Sequence, residues 1–375
     1  MKLFKKINYF PDEYYCEREK KENYIIHHYS PHTYNAGDHF VIQSIRNNIR
    51  SLLPEAVFIP KAIANNRGWG EPIGLRKENI LFSNAHADAV IVGGSDQYNN
   101  WSPRISRKEI DFLKPPLFLI GLGVSSKDLN LEPYIKNQEF NEDIVATNNK
   151  AALSSVRDDI TYNFLENLGY DKAINTGCPA LHLFDNEFRI NDSKKVLLTF
   201  PFPMVNNDSE NLKYKVLVDV TKQLLKYIHN KDLEPIIVCH DDRDVSVAQY
   251  EFGNEKIFFS NYHQDFFELY KSALLIVGSR LHASILTSGM GIPNININLD
   301  LRGQGFTQNY ELSDWHLDYT DKDIFDKLIE RIEKVLSGSL SMFDKFSIKK
   351  KEKRKVFNKF IEDTVEIIKT PIVKL

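Results

Sequence analysis

The fold is decided by one stretch of sequence, IVGSRLHASI at residues 276–285. An apolar run that ends in Gly-Ser and continues into small and apolar residues is typical of a strand followed by a helix. In α/β proteins ligands bind at such strand ends, where the N-terminal N–H groups of the helix favour anions. Arg280 adds a planar fork of donors for carboxylate or phosphate, and His282 can exchange a proton near neutral pH. The stretch therefore predicts an anion site at Arg280 with a proton donor beside it.

Composition and charge limit the class of protein. The chain has 375 residues, enough for two or three domains, and its net charge of −3 gives no positive field for nucleic acid. The three cysteines lie far apart without a C-x-x-C pair, which indicates a reducing compartment. The N-terminal residues lack the apolar core of a signal peptide, and no apolar run approaches the roughly 20 residues that cross a bilayer. We therefore expect a cytoplasmic protein that does not bind nucleic acid.

Apolar runs of strand length alternate with helical patterns in both halves of the chain. Short continuous runs rich in β-branched residues are typical of strands that a parallel sheet buries on both faces. The predicted strands are 24–27, 89–92, 117–120, 195–200, 235–239, 274–277 and 294–297, and the predicted helices include 40–53, 155–168 and 211–229. The polar segment 183–195 is the candidate linker. This alternation predicts an α/β protein of two domains that face each other across a cleft.

Glycine-rich or polar motifs follow three predicted strands of the first half. They are Asn35-Ala36-Gly37-Asp38, Gly93-Gly94-Ser95-Asp96-Gln97 and Gly121-Leu122-Gly123-Val124-Ser125. Glycine lets the backbone turn tightly and approach a ligand, although α/β turns also need glycine for structural reasons. Three such motifs at equivalent strand ends predict a binding face. The Walker pattern and the full dinucleotide fingerprint are absent, so we do not expect a P-loop ATPase.

Three further segments each allow a structural and a functional interpretation. Arg157 forms either a surface pair with an aspartate or a second anion clamp at the start of a helix. The acids of residues 240–244 could hold Mg²⁺, but we favour a loop in which they pair with Arg243 and cap the next helix. No histidine spacing indicates zinc, and we expect no metal site.

The lysine-rich segment 345–359 predicts a solvated helix face, and contact of Lys349–Lys355 with the anionic inner face of a membrane is the alternative.

Taken together, these motifs resemble the polysaccharide pyruvyl transferase family over about residues 24–315. The matching pieces are the first-half motifs above, Ser155-Val156-Arg157-Asp158, Thr176-Gly177-Cys178-Pro179-Ala180, Ser279-Arg280-Leu281-His282-Ala283 and Gly291-Ile292-Pro293. The resemblance implies a GT-B-like architecture of two Rossmann-like domains with the active site in the cleft. The acceptor domain would span residues 1–185 and the donor domain residues 195–340. A C-terminal helix at 345–375 would cross back onto the first domain.

The resemblance also implies an activity, the transfer of pyruvate from phosphoenolpyruvate onto two hydroxyls of a sugar in a cell-surface glycan precursor. The product is a cyclic ketal, phosphoenolpyruvate is a co-substrate and no cofactor is implied. His282 would be the acid that protonates the donor, and Asp38 or Asp96 would orient or deprotonate the acceptor hydroxyl. Donor-binding positions would be Arg157, His240, Ser279, Arg280 and Leu281, and acceptor-binding positions would be Asn35, Gly37, Ser95 and Gln97.

Two other functions are compatible with the residues. A GT-B glycosyltransferase would bind a nucleotide-activated sugar, such as a CMP-linked acidic sugar or a UDP sugar, and Asp241–Asp244 could supply the acid that holds the ribose. A non-catalytic glycan-binding or assembly protein would hold no small anion in the cleft. The expected partners are a small-molecule donor and a glycan or lipid-linked sugar acceptor, and a homo-oligomer is an open alternative to a monomer.

Overall fold

A computed structural model describes residues 22–31, 35–63, 74–94, 98, 105, 107–125, 138–200 and 208–370. These residues form two α/β domains, each built on a six-stranded sheet. All strand pairs within the two sheets are parallel. The carboxyl ends of the strands in each sheet therefore meet at one edge, where a ligand site is expected.

The first domain contains strands β1 (Tyr24–Ser30), β2 (Ala56–Ala62), β3 (Ala89–Gly93), β4 (Leu117–Leu122), β5 (Leu153–Val156) and β6 (Ile174–Asn175). Its helices are α1 (Ala36–Leu52), α2 (Lys77–His86), α3 (Arg107–Ile110), α4 (Gln138–Lys150) and α5 (Asp159–Asn167). The strand order is β2-β1-β3-β4-β5-β6, so the winding direction reverses between β1 and β3. The segments that follow β1 and β3 therefore flank the switch point of this sheet.

The second domain contains β7 (Lys195–Thr199), β8 (Glu234–Val238), β9 (Lys256–Phe258), β10 (Leu275–Gly278), β11 (Asn294–Asn298) and β12 (Leu317–Asp318). Its helices are α6 (Asp208–Asn230), α7 (Asp242–Phe252), α8 (His263–Lys271), α9 (Leu281–Met290), α10 (Leu301–Asn309) and α11 (Ile324–Leu336). The order β12-β11-β10-β7-β8-β9 is that of a Rossmann fold, with its switch point between β7 and β10. The stretch that decided the fold thus begins in β10 and ends in α9.

The last helix, α12 (Asp344–Lys369), returns to the first domain. Its buried side chains, including Phe357 and Phe360, belong to the same apolar cluster as Phe40 of α1 and Phe266 of α8. At the end of the helix, Lys369 Nζ donates to the carbonyl oxygen of Leu52 over 3.3 Å. One core therefore joins both domains and α12, which confirms the predicted architecture of two Rossmann-like domains with a returning helix.

Residues 184–194 connect the two domains without forming a helix or strand. This segment lies alongside the C-terminal end of α9. Asn186 N donates to Gly289 O over 3.0 Å, and Arg189 N donates to Gly291 O over 2.9 Å. These bonds hold the connection against the second domain. The domain boundaries at residues 185, 195 and 340 stay predictions.

All seven predicted strands are present, but the helix predicted at 155–168 is wrong at its start. Residues Leu153–Val156 form β5, which pairs with β4 and β6. The helix begins only at Asp159, because the side chain of Asp158 accepts a hydrogen bond from Thr161 N over 2.7 Å and caps it. Strand β2 was missed because it lies at the sheet edge, is partly exposed and contains Pro60, as edge strands tolerate.

The lysine-rich face of α12 is partly turned into the protein. Lys350 Nζ donates to Asn186 O over 2.7 Å, and Arg354 donates to the carbonyl oxygens of His182 and Phe184, each over 2.7 Å. These cations therefore stabilise the segment that joins the domains. Within the described part of the chain, no helix is both long and apolar enough to span a membrane.

Two buried histidines make stability depend on pH. Burial lowers the pKa of His182 and of His316 to about 3, with Arg354 and Arg331 respectively adding to the effect. Below about pH 6.5 the unfolded chain binds protons at these positions that the folded chain does not. We expect the free energy of unfolding to be highest above pH 6.5. It should fall with pH towards 3 by up to about 1.4 kcal/mol per pH unit for each histidine.

Urea unfolding at pH 7.5 and 5.5 measures this loss. His316→Gln removes one titrating group and should reduce the difference between the two pH values. Equal pH dependence in the wild type and the His316→Gln variant would contradict this assignment.

Candidate active site

A pocket opens where the carboxyl edge of the second sheet faces the N-terminus of α1. We call it the cleft pocket, and about 540 Å³ of space, part of it open to solvent, lies within it. Of the described residues, those that line it are Asn35, His240, Ser279, Arg280, Leu281, His282, Asn296, Ile297, Leu299, Asp300, Arg302 and Gly303. Both domains therefore contribute to the cleft pocket, and the second domain contributes most of its wall.

Gly278 lets the end of β10 approach the end of β7 closely at the switch point of the second sheet. It adopts a φ of +157°, and a Cβ atom there would lie 1.8 Å from Thr199 O of the neighbouring strand. Only glycine permits this approach. The chain then turns so that Ser279 N donates to Thr199 O over 2.7 Å. The turn directs Ser279 and Arg280 into the cleft pocket at the start of α9.

Two buried polar atoms at this turn have no hydrogen-bond partner within the described chain. They are Ser279 Oγ and Arg280 Nε, and both residues line the cleft pocket. Buried donors are nearly always satisfied, so such atoms call for a ligand or water. Helix α9 begins at Leu281, and N–H groups at the start of a helix have no acceptor one turn earlier, although Ala283 N here donates to Arg280 O over 2.8 Å. This turn therefore has the donors of an anion site.

Asp244 fixes the orientation of Arg280. Its Oδ1 accepts a hydrogen bond from Arg280 Nη2 in an ion pair that is almost fully buried. Its other oxygen accepts from His240 N over 3.0 Å and from Asp241 N over 3.2 Å. Because Asp244 is itself held in the capping box of α7, it holds the arginine side chain in one position. Arg280 Nε then remains as the donor for a ligand.

The predicted cap at residues 240–244 is confirmed. Asp241 is the N-cap of α7, and it accepts hydrogen bonds from Arg243 Nε over 2.7 Å and from Arg243 Nη2 over 2.8 Å. These contacts commit the Asp241 carboxylate to the helix and to Arg243. Within the described chain, no group of three or more His, Cys, Asp or Glu side chains is arranged to hold a metal ion.

His240 lines the cleft pocket and is buried against residues of both domains. Its Nε2 forms a hydrogen bond with Tyr270 Oη, and its carbonyl oxygen accepts from Ala36 N over 2.9 Å. Burial, with the neighbouring Arg280 and His282, lowers the pKa of His240 well below its ordinary value. His240 is therefore neutral near pH 7, and a donor anion would meet an uncharged imidazole there.

The N-terminus of α1 touches His282 directly. The side chain of Asn35 caps this helix by accepting from Gly37 N over 2.9 Å. A Cβ atom on Gly37 would lie 2.6 Å from Nδ1 of His282, so the absence of a side chain makes room for the imidazole. Asp38 is the next residue and is buried in the first turn of α1, outside the described lining of the cleft pocket. The structure therefore brings Asn35, Gly37 and His282 together across the domain boundary.

Arg157 lies at the carboxyl end of β5, away from the described lining of the cleft pocket. It is 5% exposed, and its Nη2 donates to Val124 O over 3.0 Å while Nε donates to Asp158 over 3.3 Å. A Cβ on Gly123 would lie 2.0 Å from Arg157 Nε, so the glycine accommodates the guanidinium. The structure thus holds Arg157 at the carboxyl end of β5, next to Asp158, which lies against Gly305 of the second domain, and its role as an anion clamp stays a prediction.

Three predicted residues, Ser95, Asp96 and Gln97, lie outside the described residues. Sequence analysis missed Asp300 and Arg302, which line the cleft pocket directly after β11. Their signal was present, because the strand 294–297 was predicted and a charged pair follows it. The strand-end argument that finds Arg280 after β10 therefore also finds Asp300 and Arg302 after β11.

Comparison with known proteins agrees with this geometry. The sequence profile described as polysaccharide pyruvyl transferase matches residues 35–300. No curated protein matches the sequence significantly. Among solved structures, a UDP-N-acetylglucosamine 2-epimerase from Neisseria meningitidis bound to UDP-GlcNAc is 13% identical, with a TM-score of 0.54, and the match covers 92% of this chain and 100% of that one. A putative UDP-N-acetylglucosamine 2-epimerase from Listeria monocytogenes is 12% identical, also with a TM-score of 0.54, covering 88% of this chain and 91% of that one. The structural likeness concerns the fold, which is GT-B-like.

Proposed function

Because the chain belongs to the polysaccharide pyruvyl transferase family, we propose that it moves pyruvate from phosphoenolpyruvate onto two hydroxyls of a sugar and forms a cyclic ketal. The enzyme is a transferase that acts on a glycan. The observation that carries the choice of donor is a pair of buried atoms at the N-terminus of α9, Ser279 Oγ and Arg280 Nε, for which the described residues supply no hydrogen-bond partner. Donors in this arrangement favour a carboxylate or phosphate, and phosphoenolpyruvate carries both.

His282 is suited to act as the general acid. It is the second residue of α9, so an anion bound at Ser279 and Arg280 lies near its imidazole, and anions favour the protonated form of the ring. The imidazolium would give its proton to the methylene carbon of the donor. A sugar hydroxyl then forms a bond to the carbon that bears the phosphate.

The remaining steps restore the proton balance. The C–O bond to phosphate breaks and a neighbouring hydroxyl closes the ketal ring. Each of the two hydroxyls loses one proton. One of these protons replaces the one that the imidazolium gave to the methylene carbon, and the other leaves with the phosphate. No further reactant is needed.

The acceptor sugar would approach from the first domain. Asn35 contributes to the cleft pocket from this side, and Gly37 and Asp38 follow it in the first turn of α1. Asp38 would orient or deprotonate the hydroxyl that attacks first, with Ser95, Asp96 and Gln97 of the neighbouring strand end as further acceptor residues. The position of Asn35 across the cleft pocket from Ser279 and Arg280 supports an acceptor on this side.

The acids of residues 241–244 argue against a glycosyltransferase that uses a nucleotide sugar. Such a donor needs a carboxylate that binds its ribose, and Asp241–Asp244 is the segment that could supply one. The Asp241 carboxylate binds Arg243, and the Asp244 carboxylate binds Arg280 and caps α7. Breaking the buried Asp244–Arg280 pair would leave a charge without its partner, which is costly.

We further propose a cytoplasmic enzyme with a glycan or lipid-linked sugar as acceptor. Peripheral contact of Lys349–Lys355 with the inner face of a membrane would depend on the lysines that α12 leaves at the surface. Lys350 and Arg354 are already engaged with backbone carbonyl oxygens. An assembly of several copies is compatible with the proposal and would not change the site.

Thermal unfolding in the presence of candidate donors tests the donor class. Phosphoenolpyruvate at about 100 times its dissociation constant should stabilise the wild type by roughly 2.7 kcal/mol, and more than equal inorganic phosphate does. Arg280→Ala should lose most of this shift. Arg243→Ala is the matched control, because this arginine lies in the first turn of α7 and outside the described lining of the cleft pocket.

UDP, GDP and CMP complete the panel. A shift with one nucleotide and none with phosphoenolpyruvate would contradict the proposed donor and favour a glycosyltransferase. Equal shifts in the Arg280→Ala and Arg243→Ala variants would contradict the assignment of the anion site.

A further inference from the structure

The lysine-rich part of α12 was the sequence-based candidate for contact with a membrane, but several of its cations are engaged within the protein. Lys349 pairs with Glu311 over 3.5 Å, and Lys351 pairs with Glu187 over 2.8 Å. Lys350 donates to a carbonyl oxygen of the segment that joins the domains. A cation with an acidic partner has less charge to offer to an external anion. Cations without such partners are therefore the better guide to a surface that binds anions.

Three such cations lie at the edge of the first sheet, which is formed by β2. Arg46 and Arg50 are one turn apart on α1, and their Cζ atoms lie 5.7 and 5.0 Å from the ring centroid of Phe58 in β2. On the same strand, Lys61 Nζ lies 4.4 Å from the ring centroid of Phe82 in α2. Within the described part of the chain, none of the three cations forms an ion pair with a carboxylate.

The two arginines repel each other, and an external anion would relieve this repulsion. Like charges four residues apart on a helix destabilise it. Burial, with Arg50 adding to the effect, lowers the pKa of Arg46 to about 10, so both guanidinium groups are still charged near pH 7. Arg46 Nε donates to Nδ1 of His28 over 3.2 Å, and its two Nη groups donate to none of the described residues. Glu55, in the exposed turn between α1 and β2, pairs with neither arginine.

Exposed apolar side chains lie beside these cations. Leu52 at the end of α1, Val57 in β2, and Leu81 and Phe82 in α2 are between 37% and 57% exposed. We call this surface the β2 edge face, and its residues are Arg46, Arg50, Leu52, Val57, Lys61, Leu81 and Phe82. Basic and apolar side chains on one surface are typical of proteins that bind anionic lipids, because the cations meet the headgroups and the apolar groups enter the layer below.

The charge of the β2 edge face argues against a second copy of the chain as its partner. In a two-fold dimer the same patch of both copies meets itself. The arginines and lysine of one copy would then approach those of the other without a carboxylate partner between them. A membrane surface with anionic headgroups offers the opposite charge and an apolar layer together, so it fits both kinds of side chain on this face.

We propose that the β2 edge face binds a membrane surface that contains anionic phospholipids. Helix α1 joins this face to the cleft pocket, because Asn35 lines the pocket at the start of the helix and Leu52 ends it. The 17 residues of α1 span about 25 Å. A sugar chain attached to a lipid phosphate could reach the cleft pocket over this distance while the lipid stays in the membrane. This use of the face rests on the proposed function, whereas the binding of lipid does not.

Co-sedimentation with vesicles made of equal parts phosphatidylcholine and phosphatidylglycerol tests the proposal. The wild type should bind these vesicles, and should bind vesicles of phosphatidylcholine alone much more weakly. Each basic residue near an anionic surface contributes about fivefold in affinity, so Arg50→Gln/Lys61→Gln should weaken binding about 25-fold. Leu52→Ser/Leu81→Ser should weaken it about 10-fold or more, because two apolar side chains no longer enter the layer. High salt should weaken the binding of the wild type.

Lys351→Gln/Lys355→Gln is the matched control, because it removes the same number of positive charges from the exposed side of α12. Its affinity for the mixed vesicles should equal that of the wild type within about threefold, as for other surface charges outside a binding face. Thermal unfolding without vesicles shows whether each variant is folded. All the substituted side chains are exposed or half-buried, so we expect midpoints close to that of the wild type.

The outcomes separate this inference from the proposed function. Absence of wild-type binding to the mixed vesicles would overturn the inference, and so would equal losses in the α12 control and in Arg50→Gln/Lys61→Gln. Binding of soluble inorganic diphosphate without binding of vesicles would also overturn it and assign the arginines to a soluble phosphate ligand. None of these results would affect pyruvate transfer to a soluble sugar. Conversely, absence of phosphoenolpyruvate binding would overturn the proposed function and leave the binding of lipid intact.

Discussion

Replacing His282 with alanine is expected to lower kcat by about 10²–10⁴-fold, the range typical of general acid catalysis. The affinity for phosphoenolpyruvate should change by less than about tenfold, because charge-assisted bonds to arginine supply most of the binding energy. Phosphate release under saturating donor gives kcat, and titration calorimetry gives the affinity.

His229→Ala is the matched control for this experiment. This histidine lies in the same domain with its side chain 53% exposed, pairs with Glu255 at the surface and is outside the described lining of the cleft pocket. We expect its kcat to equal that of the wild type. Weaker donor binding with unchanged kcat in His282→Ala would reject the role of acid and leave His282 as a binding residue.

Gly37→Ala should lower kcat by about 100-fold or more without unfolding the protein. The added Cβ would lie 2.6 Å from His282 Nδ1 and 2.8 Å from His282 Cβ, so the imidazole must move. A displacement of about 1 Å at a reacting group can cost about 100-fold in rate. Alanine favours a helix over glycine by roughly 0.5–1 kcal/mol, which offsets part of the cost of this movement and helps the variant to remain folded. Steady-state kinetics and thermal unfolding measure the two effects.

A double-mutant cycle identifies the cause of the loss. In a His282→Gly background all the side-chain atoms that the added Cβ would approach are absent, so Gly37→Ala should reduce kcat little further. The two changes would then be strongly non-additive, as expected for residues in contact. An equal loss in both backgrounds would instead show that Gly37 acts through the acceptor side or through the fold of α1.

The sequence predicted the parts of the fold that depend on local pattern. Continuous apolar runs identified the buried strands, including β10 at the switch point. Strand β5 was taken for a helix because its four residues, Leu153–Val156, are too few to establish a period of two. Edge strand β2 was missed because its apolar run ends at Pro60, and a proline within a run argues against a strand.

The site was predictable where it follows from a strand end and unpredictable where it depends on distant contacts. Arg280 and His282 follow β10 directly, and the same argument applied to β11 would have found Arg302. The pair between Arg280 and Asp244 joins residues 36 positions apart, and no local pattern indicates it. The contact between Gly37 and His282 crosses from one domain to the other. Only the packed arrangement of the domains brings these groups together.

The returning helix α12 has a consequence for synthesis on the ribosome. Its apolar side chains complete a core that includes Phe40 of α1, and its last residue bonds to Leu52, 317 positions earlier in the chain. At about 5–20 residues per second, the ribosome needs roughly 15–60 s to make the intervening segment. During that time the nascent first domain has an uncovered apolar surface along α1. Closure of this core therefore awaits synthesis of α12, and chaperones that bind exposed apolar surface have their longest opportunity before that moment.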